Sequence, residues 1–366
     1  MARILSIAPY KYLKPQNGGH WGLYFVETIY AKKNEVLTIG VEANEEYPTT
    51  FQQKNILTNS KKRYIPWLIK NTIAKVASSY QPTHITCHHH YLFPAAYAVA
   101  KTLNIPIYIR AHNIENERFK SIGKWWWKGM FYFERYAYRR ATTTFFISNQ
   151  DADWAMKNFG LSANKATVMP FATPFASIPS SEVRRDTVAR LHQLDSNKEW
   201  LIFMGILSYE PNEDAVRLLI EEIYPRLKAQ NNNFELIICG KGLKVELVQQ
   251  IKELENSHYL GFVDDLEALL HQSKVMLNPV VNGGGVKTKV LEALAWNNAV
   301  VSTYFGAFGV EEEYCGDKLK LVTNDWDQFA AATLSCIQNP KQDIPARFFE
   351  HYNIDKIAER MQKYFS

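Results

Sequence analysis

Short apolar runs recur along the chain, each ending in a polar loop and followed by a stretch with helical periodicity. In the first half, Ile4-Leu5-Ser6-Ile7 leads into a loop with Asn17-Gly18-Gly19 and then an amphipathic segment from Trp21 to Lys32. Val36 to Val41, Ile85-Thr86-Cys87, Ile107-Tyr108-Ile109 and Thr144-Phe145-Phe146-Ile147 read as further strands. Runs this short and apolar on both faces mark parallel strands covered by helices on each side. Between Met169 and Lys198 the alternation lapses into Pro, Ser, Ala and scattered charge. It restarts with Trp200 to Met204, Phe234 to Cys239, Val275 to Leu277 and Val300-Val301-Ser302. The pattern predicts an α/β fold of two Rossmann-like, doubly wound domains facing across a cleft. Their expected bounds are 1–172 and 199–344, with a linker over 173–198 and terminal helices over 345–366 that cross back to the first domain.

A length of 366 residues suits two cores. Hydrophobic residues at 46% and charged residues at 22% exclude wholesale disorder. The N-terminal apolar run is too short for a signal peptide, and no run of apolar residues is long enough to span a bilayer. Cys87, Cys239, Cys315 and Cys336 are scattered without CxxC spacing, which points away from a disulfide framework or structural zinc and toward a cytoplasmic location. The net charge of +5 hides an asymmetry: residues 1–175 carry 22 Lys and Arg against 10 Asp and Glu, a net +12, and the remainder is −7. A basic half is either a solvated face or a surface for an anionic partner such as a membrane.

Ligands of open α/β sheets bind beyond the carboxyl ends of the strands, so the chemistry is sought in post-strand loops. The most informative runs from Asn278 through Gly283, Gly284, Gly285, Val286, Lys287 and Lys289 to Glu292. Consecutive glycines let a backbone approach a ligand and turn its N–H groups inward, and the helix after them presents its positive end. With two lysines the loop suits a diphosphate, and Glu292 is placed to accept both hydroxyls of a ribose. A flexible surface turn is the plainer alternative.

NPVVNGGGVKTKVLEALAWNNAVVSTYFGAFGV resembles the donor-site signature of the family 4 retaining glycosyltransferases of GT-B fold. The resemblance implies that Glu292 binds the ribose, that Gly283, Gly284, Gly285 and Val286 offer backbone to the diphosphate or sugar, and that Lys287 or Lys289 neutralises phosphate in place of a metal. The usual pattern has two glutamates, and the first falls here on Gly284, as in a subgroup with a GGG or GAG loop. Phe203 to Ala215 resembles the first strand–loop–helix of the donor domain, with Gly205 near the diphosphate and Asn212 opening a helix; its usual basic residue is absent. Ile237 to Gly242 and Leu260 to Leu266 resemble the stretches that flank the base, which adds Gly240 and Val263 to the donor set.

Arg110-Ala111-His112-Asn113-Ile114-Glu115 follows a strand and resembles the R-x-H-N-x-E motif of the same family. It implies that His112, together with Lys287 and Glu292, carries catalysis, the histidine stabilising charge at the donor sugar. A structural histidine capping the loop is the alternative. Asn17, Gly18, Gly19, His90, Arg110, Asn113 and Glu115 form the expected acceptor side. His88-His89-His90 is not read as a metal site, because neighbours in sequence do not point at one centre, and no metal or other cofactor is expected. Lys124 to Phe133, followed by Arg139-Arg140, mixes basic and aromatic residues. Such a run settles at a bilayer interface, which would put the protein at the inner face of the membrane, or it fills the core. No nucleic-acid motif accompanies the charge.

The resemblance thus implies a hexosyltransferase. It would move a sugar from a nucleotide diphosphate to a glycan or lipid-linked acceptor in cell-surface polysaccharide or glycoconjugate synthesis. The rivals are a GT-B nucleotide-sugar epimerase, which would need further clustered carboxylates, and a catalytically decayed sugar-nucleotide-binding scaffold. A nicotinamide dehydrogenase is excluded, since no GxGxxG with a following acidic residue opens either half.

Overall fold

Parallel strands need crossovers, and the helical stretches between the apolar runs supply them. A computed structural model of the chain describes residues 1–283, 288–340 and 342–366. It contains two compact units, residues 1–174 with 351–366 and residues 175–350.

The first unit holds strands β1 (Arg3–Ile7), β2 (Glu35–Val41), β3 (Gln52–Leu57), β4 (His84–His88), β5 (Ile107–Arg110), β6 (Thr143–Phe146) and β7 (Ala166–Val168). They form one parallel sheet in the order β3-β2-β1-β4-β5-β6-β7. Successive residues of β1 feed opposite cores: Leu5 and Ile7 pack on one face of the sheet, Ile4 on the other. The second core is completed by the C-terminal helix Ile354–Met361, whose Ile354, Ile357, Ala358 and Met361 are buried against β1, β2 and the helix Gly18–Ala31. Asn353 caps that helix by accepting from the Asp355 and Lys356 amides, and main-chain bonds join Thr173 to Tyr352 and Ile354.

The second unit holds β8 (Glu199–Met204), β9 (Phe234–Cys239), β10 (Ser257–Gly261), β11 (Val275–Asn278), β12 (Ala299–Thr303) and β13 (Leu319–Val322). Their order is β10-β9-β8-β11-β12-β13, again parallel. Each sheet therefore winds outward in both directions from its first strand, and the order reverses between β1 and β4 in one unit and between β8 and β11 in the other. Crevices for ligands open at such points.

Every strand expected from the apolar runs is present. Some expectations shift: the expected linker, 173–198, carries a helix, Arg185–His192, and from 175 onward belongs to the second unit, while of the terminal segment 345–366 only 351–366 joins the first. Gly18 and Gly19 lie in the first turn of the helix Gly18–Ala31 and not in a loop, because the Asn17 side chain accepts from the His20 amide and starts the helix there.

Candidate functional site

In the second unit the loops after β8 and β11 meet. Gly283, at φ +96°, lies so close to the other loop that a β-carbon would stand 2.9 Å from both Tyr209 Oη and Pro211 Cγ. Lys289, in the first turn of the helix Thr288–Ala295, crosses the same gap: its ammonium lies 4.1 Å from the centre of the Phe203 ring at the end of β8 and donates to Asn212 Oδ1 at 3.0 Å. The Asn212 amide nitrogen in turn donates to the Ile206 carbonyl at 2.9 Å, fixing the loop that begins at Gly205. The positive charge missing from the Phe203–Ala215 stretch is thus supplied from the neighbouring loop.

Gly240 closes the loops after β8 and β9 together. At φ +138°, a β-carbon there would fall 1.8 Å from the Gly205 carbonyl oxygen, so only glycine fits. Half-buried Val263 follows Gly261, whose carbonyl accepts from the Gly240 amide at 2.6 Å. The Glu292 side chain reaches solvent from the helix Thr288–Ala295, yet the dense packing around its carboxyl pushes it up to about 7, with the Glu267 carboxylate adding to the shift. Gly284, Gly285, Val286 and Lys287 lie outside the described residues. The loop that leads to them is held by buried Asn278, which donates to the Gly306 carbonyl at 2.7 Å and to Ser302 Oγ at 3.2 Å.

In the first unit the carboxyl ends of β4 and β5 gather histidines. Around a left-handed turn at His89, φ +58°, His88 and His89 both meet the His112 ring, whereas His90 enters the interior. His88 bonds Glu27 Oε1 through Nε2 at 2.8 Å and His112 Nε2 through Nδ1 at 2.9 Å. His89 bonds Tyr10 Oη at 2.7 Å and lies 4.7 Å from the His112 ring. Partly exposed His112 is held neutral, well below the usual histidine range, by burial first and then by His89, His88 and Arg110.

Three expected acceptor-side residues are instead interior. His90 is fully buried against Met130, Phe133 and Tyr138, where burial lowers it to about 3. Arg110 is buried with its guanidinium spent on the carbonyls of Phe145, Phe146 and Met169, tying β5 to the ends of β6 and β7. Glu115 is buried and fully engaged: it accepts from Tyr91 Oη at 2.6 Å, Asn113 Nδ2 at 3.1 Å and the Arg118 guanidinium. Burial alone would raise its pKa, but Arg118, His89 and Tyr91 outweigh it and hold the carboxyl at about 2. Their burial takes all three away from a ligand: Glu115 has a partner for each oxygen, while Arg110 Nε and His90 Nδ1 are buried without a hydrogen bond.

Residues 198–339 match the family described as Glycosyl transferases group 1, and residues 33–172 match Glycosyltransferase Family 4. The chain belongs to the group 1, family 4 glycosyltransferases. Solved structures similar to this glycosyltransferase over its whole length carry the GT-B fold. Anabaena HepE in complex with UDP and glucose has a TM-score of 0.71 at 16% identity, covering 100% of this chain and 99% of that one. A sucrose-phosphate synthase from Thermosynechococcus elongatus has a TM-score of 0.73 at 13% identity, covering 100% and 98%. A curated relative, an uncharacterized 44.6 kDa protein in a cps region of Klebsiella pneumoniae, is 23% identical over 202 residues. That match covers 53% of this glycosyltransferase and 47% of the relative, about half of each.

Two residues of the glycosyltransferase escaped the sequence reading, Glu27 and His88. Glu27 had a signal, since it lies four residues after Leu23 and three before Tyr30, on the buried face of its helix. A carboxylate on such a face needs a partner from the sheet beneath it, and Ser6 of β1 and His88 of β4 both reach it. Among the described residues no group of three or more His, Cys, Asp or Glu could hold a metal ion, and no helix is long and apolar enough to cross a membrane.

Proposed function

We propose that this chain transfers a hexosyl group from a nucleoside diphosphate sugar to a hydroxyl of a glycan or lipid-linked acceptor, with retention of anomeric configuration and without a metal. One observation carries the reading: at the switch point of the second sheet, Lys289 and Asn212 join the loops after β8 and β11, leaving a fixed cation where the diphosphate of a nucleotide would lie. Glu292 takes the ribose hydroxyls, and the backbone of the triple-glycine loop takes the phosphate oxygens. The bond between the anomeric carbon and the diphosphate breaks with its electron pair going to phosphate, the acceptor oxygen takes its place, and the acceptor proton is released. The cation stabilises the departing charge, and His112 of the first unit stabilises the sugar as that bond weakens.

The complexes of HepE with UDP and with UDP-glucose, and an Escherichia coli protein bound with UDP-2-fluoro glucose, make UDP-sugars the first donors to try. The relative in a cps region supports a role in cell-surface polysaccharide synthesis. A lipid-linked acceptor fits the surface between the helices Glu115–Ser121 and Trp127–Arg140, where Trp125 is 85% exposed beside exposed Ile122 and Trp126. Lys124 lies over the Trp126 ring at 5.7 Å, and Lys120 and Lys128 over that of Trp127 at 5.1 and 5.7 Å. Amphipathic rings with lysines at their edges suit an anionic bilayer interface.

The test is a panel of UDP-, GDP- and dTDP-sugars, scored by thermal shift and then by nucleotide release with and without acceptor, in EDTA. Acceptor-dependent release that persists in EDTA supports the proposal. Isomerised donor without acceptor would favour an epimerase, and binding without turnover a scaffold.

A further inference from the structure

Glu27, His88 and His112 form a single hydrogen-bonded line that runs from the interior of the first unit to its surface. Glu27 is fully buried, and its Oε1 is approached both by the Ser6 hydroxyl and by His88 Nε2 at 2.8 Å. Its Oε2 is buried with no partner. A proton on Oε2 would be a buried donor with nothing to receive it, and Oε1, which faces both neighbours, is placed to accept from each. His88 therefore carries its proton on Nε2. A ring protonated there alone has a lone pair on Nδ1, which faces His112 Nε2 at 2.9 Å; a ring protonated on both nitrogens would donate to His112 instead and put the His112 proton on Nδ1.

The two rings are only 23° from coplanar with centres 5.2 Å apart, so they meet edge to edge along this bond and not face to face. Facing a singly protonated His88, His112 donates from Nε2. That leaves its own lone pair on Nδ1, on the partly exposed side chain and without a hydrogen-bond partner among the described residues. Burial and the cationic Arg110 nearby oppose a second proton on the ring.

We propose that Glu27 and His88 are positioning residues that lock His112 into the Nε2–H tautomer, so that it meets the donor sugar as a hydrogen-bond acceptor for a sugar hydroxyl. The role at the sugar rests on the transfer reaction proposed above; the tautomer does not. An acceptor at this point selects sugars that carry a hydroxyl there over their deoxy analogues, because an unmatched donor or acceptor is what such a site penalises.

Glu27→Gln tests the line with little change of volume. Its amide nitrogen can donate to both Ser6 Oγ and His88 Nε2, the two groups that Oε1 now serves; this orientation buries one carbonyl without a partner, where the reverse would bury two N–H donors with none. His88 is then protonated on Nδ1 and donates to His112 Nε2, and the His112 proton moves to Nδ1. Long-range ¹H–¹⁵N correlation spectra of the full-length labelled protein report the tautomer of each ring directly. Wild type is expected to show Nε2–H at both His88 and His112, and Glu27→Gln to show Nδ1–H at both. With the donor that the panel identifies, the variant is expected to lose roughly tenfold in kcat with the nucleotide's own Kd unchanged, the worth of one mismatched hydrogen bond.

A purely structural role would lower the melting temperature without inverting either ring. The proposal is overturned by Nδ1–H or a doubly protonated ring at His112 in wild type, by a Glu27→Gln variant whose His112 tautomer is unchanged, or by inversion that leaves kcat intact. Wild-type protein that turns over no nucleotide sugar would defeat the transfer reading and with it the role at the sugar; the wild-type spectrum judges the tautomer lock by itself, even if the variant fails to fold.

Discussion

Lys289 and Asn212 lie 77 positions apart in sequence and 3.0 Å apart in space, in the first turns of the helices that follow β11 and β8 at the switch point of the second sheet. The contact sets the ammonium over the Phe203 ring, at the carboxyl end of the strand where a diphosphate would sit. Replacing Lys289 by Met keeps the length of the side chain and removes the charge. Donor Kd should rise roughly ten- to a hundredfold, the worth of a charge-assisted contact of about 1.5–3 kcal/mol, as read by titration calorimetry. The melting temperature should fall by only a few degrees, since the lost contact with the buried Phe203 ring is worth about 1–2 kcal/mol. Unchanged Kd would remove Lys289 from the donor site.

Glu292 has its carboxyl near 7 in the free protein. Only the ionised form accepts from two ribose hydroxyls at once, so donor binding should favour loss of the proton. Affinity is expected to strengthen as pH rises through that value and to weaken below it, with proton release visible as a buffer-dependent heat of binding. In Glu292→Gln the affinity should be weaker and flat across the same range. A pH dependence that survives in the variant would assign the titration to another group.

Gly240→Ala asks whether the loop after β9 tolerates any side chain. The new methyl would overlap the Gly205 carbonyl, 1.8 Å away, and the overlap has to be relieved by moving main chain. The expected cost is on the order of 2–3 kcal/mol or more, seen as a lower melting temperature of the second unit together with weaker donor binding. Wild-type melting would show that the loop yields without strain.

Acid should loosen the first unit through Glu115. Its folded pKa of about 2 lies below the ordinary 4.5, so the folded form binds the proton less readily than the unfolded chain. The stabilisation is fully present above the ordinary value and is lost as pH falls toward about 2. It amounts to on the order of 2–3 kcal/mol once the part-exposed Arg118 partner is allowed for. Urea midpoints followed across that window should fall in wild type and vary less in Glu115→Gln.

Trp125→Ser with Lys124→Ser should abolish co-sedimentation with vesicles containing phosphatidylglycerol while leaving transfer to a soluble acceptor unchanged. Wild-type protein that stays in the supernatant would assign the exposed tryptophan to another use.

Much of the architecture was legible because buried parallel strands are apolar on both faces, and runs such as Leu201 to Met204 have few other interpretations. The strands that escaped notice, β3, β7, β10 and β13, border or lie at the sheet margins. There one face or one end meets solvent: in β3 only Leu57 is buried, and its Gln52-Gln53-Lys54-Asn55 reads as loop. The triple-glycine stretch stands out in the sequence for a local reason, since glycines after a strand and lysines at a helix start lie within a few residues of each other.

The histidine cluster was not readable in that way. Sequence singled out His112 and could place His88, His89 and His90 after a strand, yet it could not say which of them would face ligand. That depended on a left-handed turn at His89 and on what each neighbouring helix offered: a carboxylate from Glu27 for His88, an apolar bed from Met130 and Phe133 for His90. The sequence by itself determined the family and the winding of both sheets, because these follow from periodicity and nearby residues. Tertiary structure alone decided which polar side chains are consumed in the interior and which remain for chemistry. A buried charge takes whatever partner the packed neighbours bring, and those neighbours lie tens of residues away.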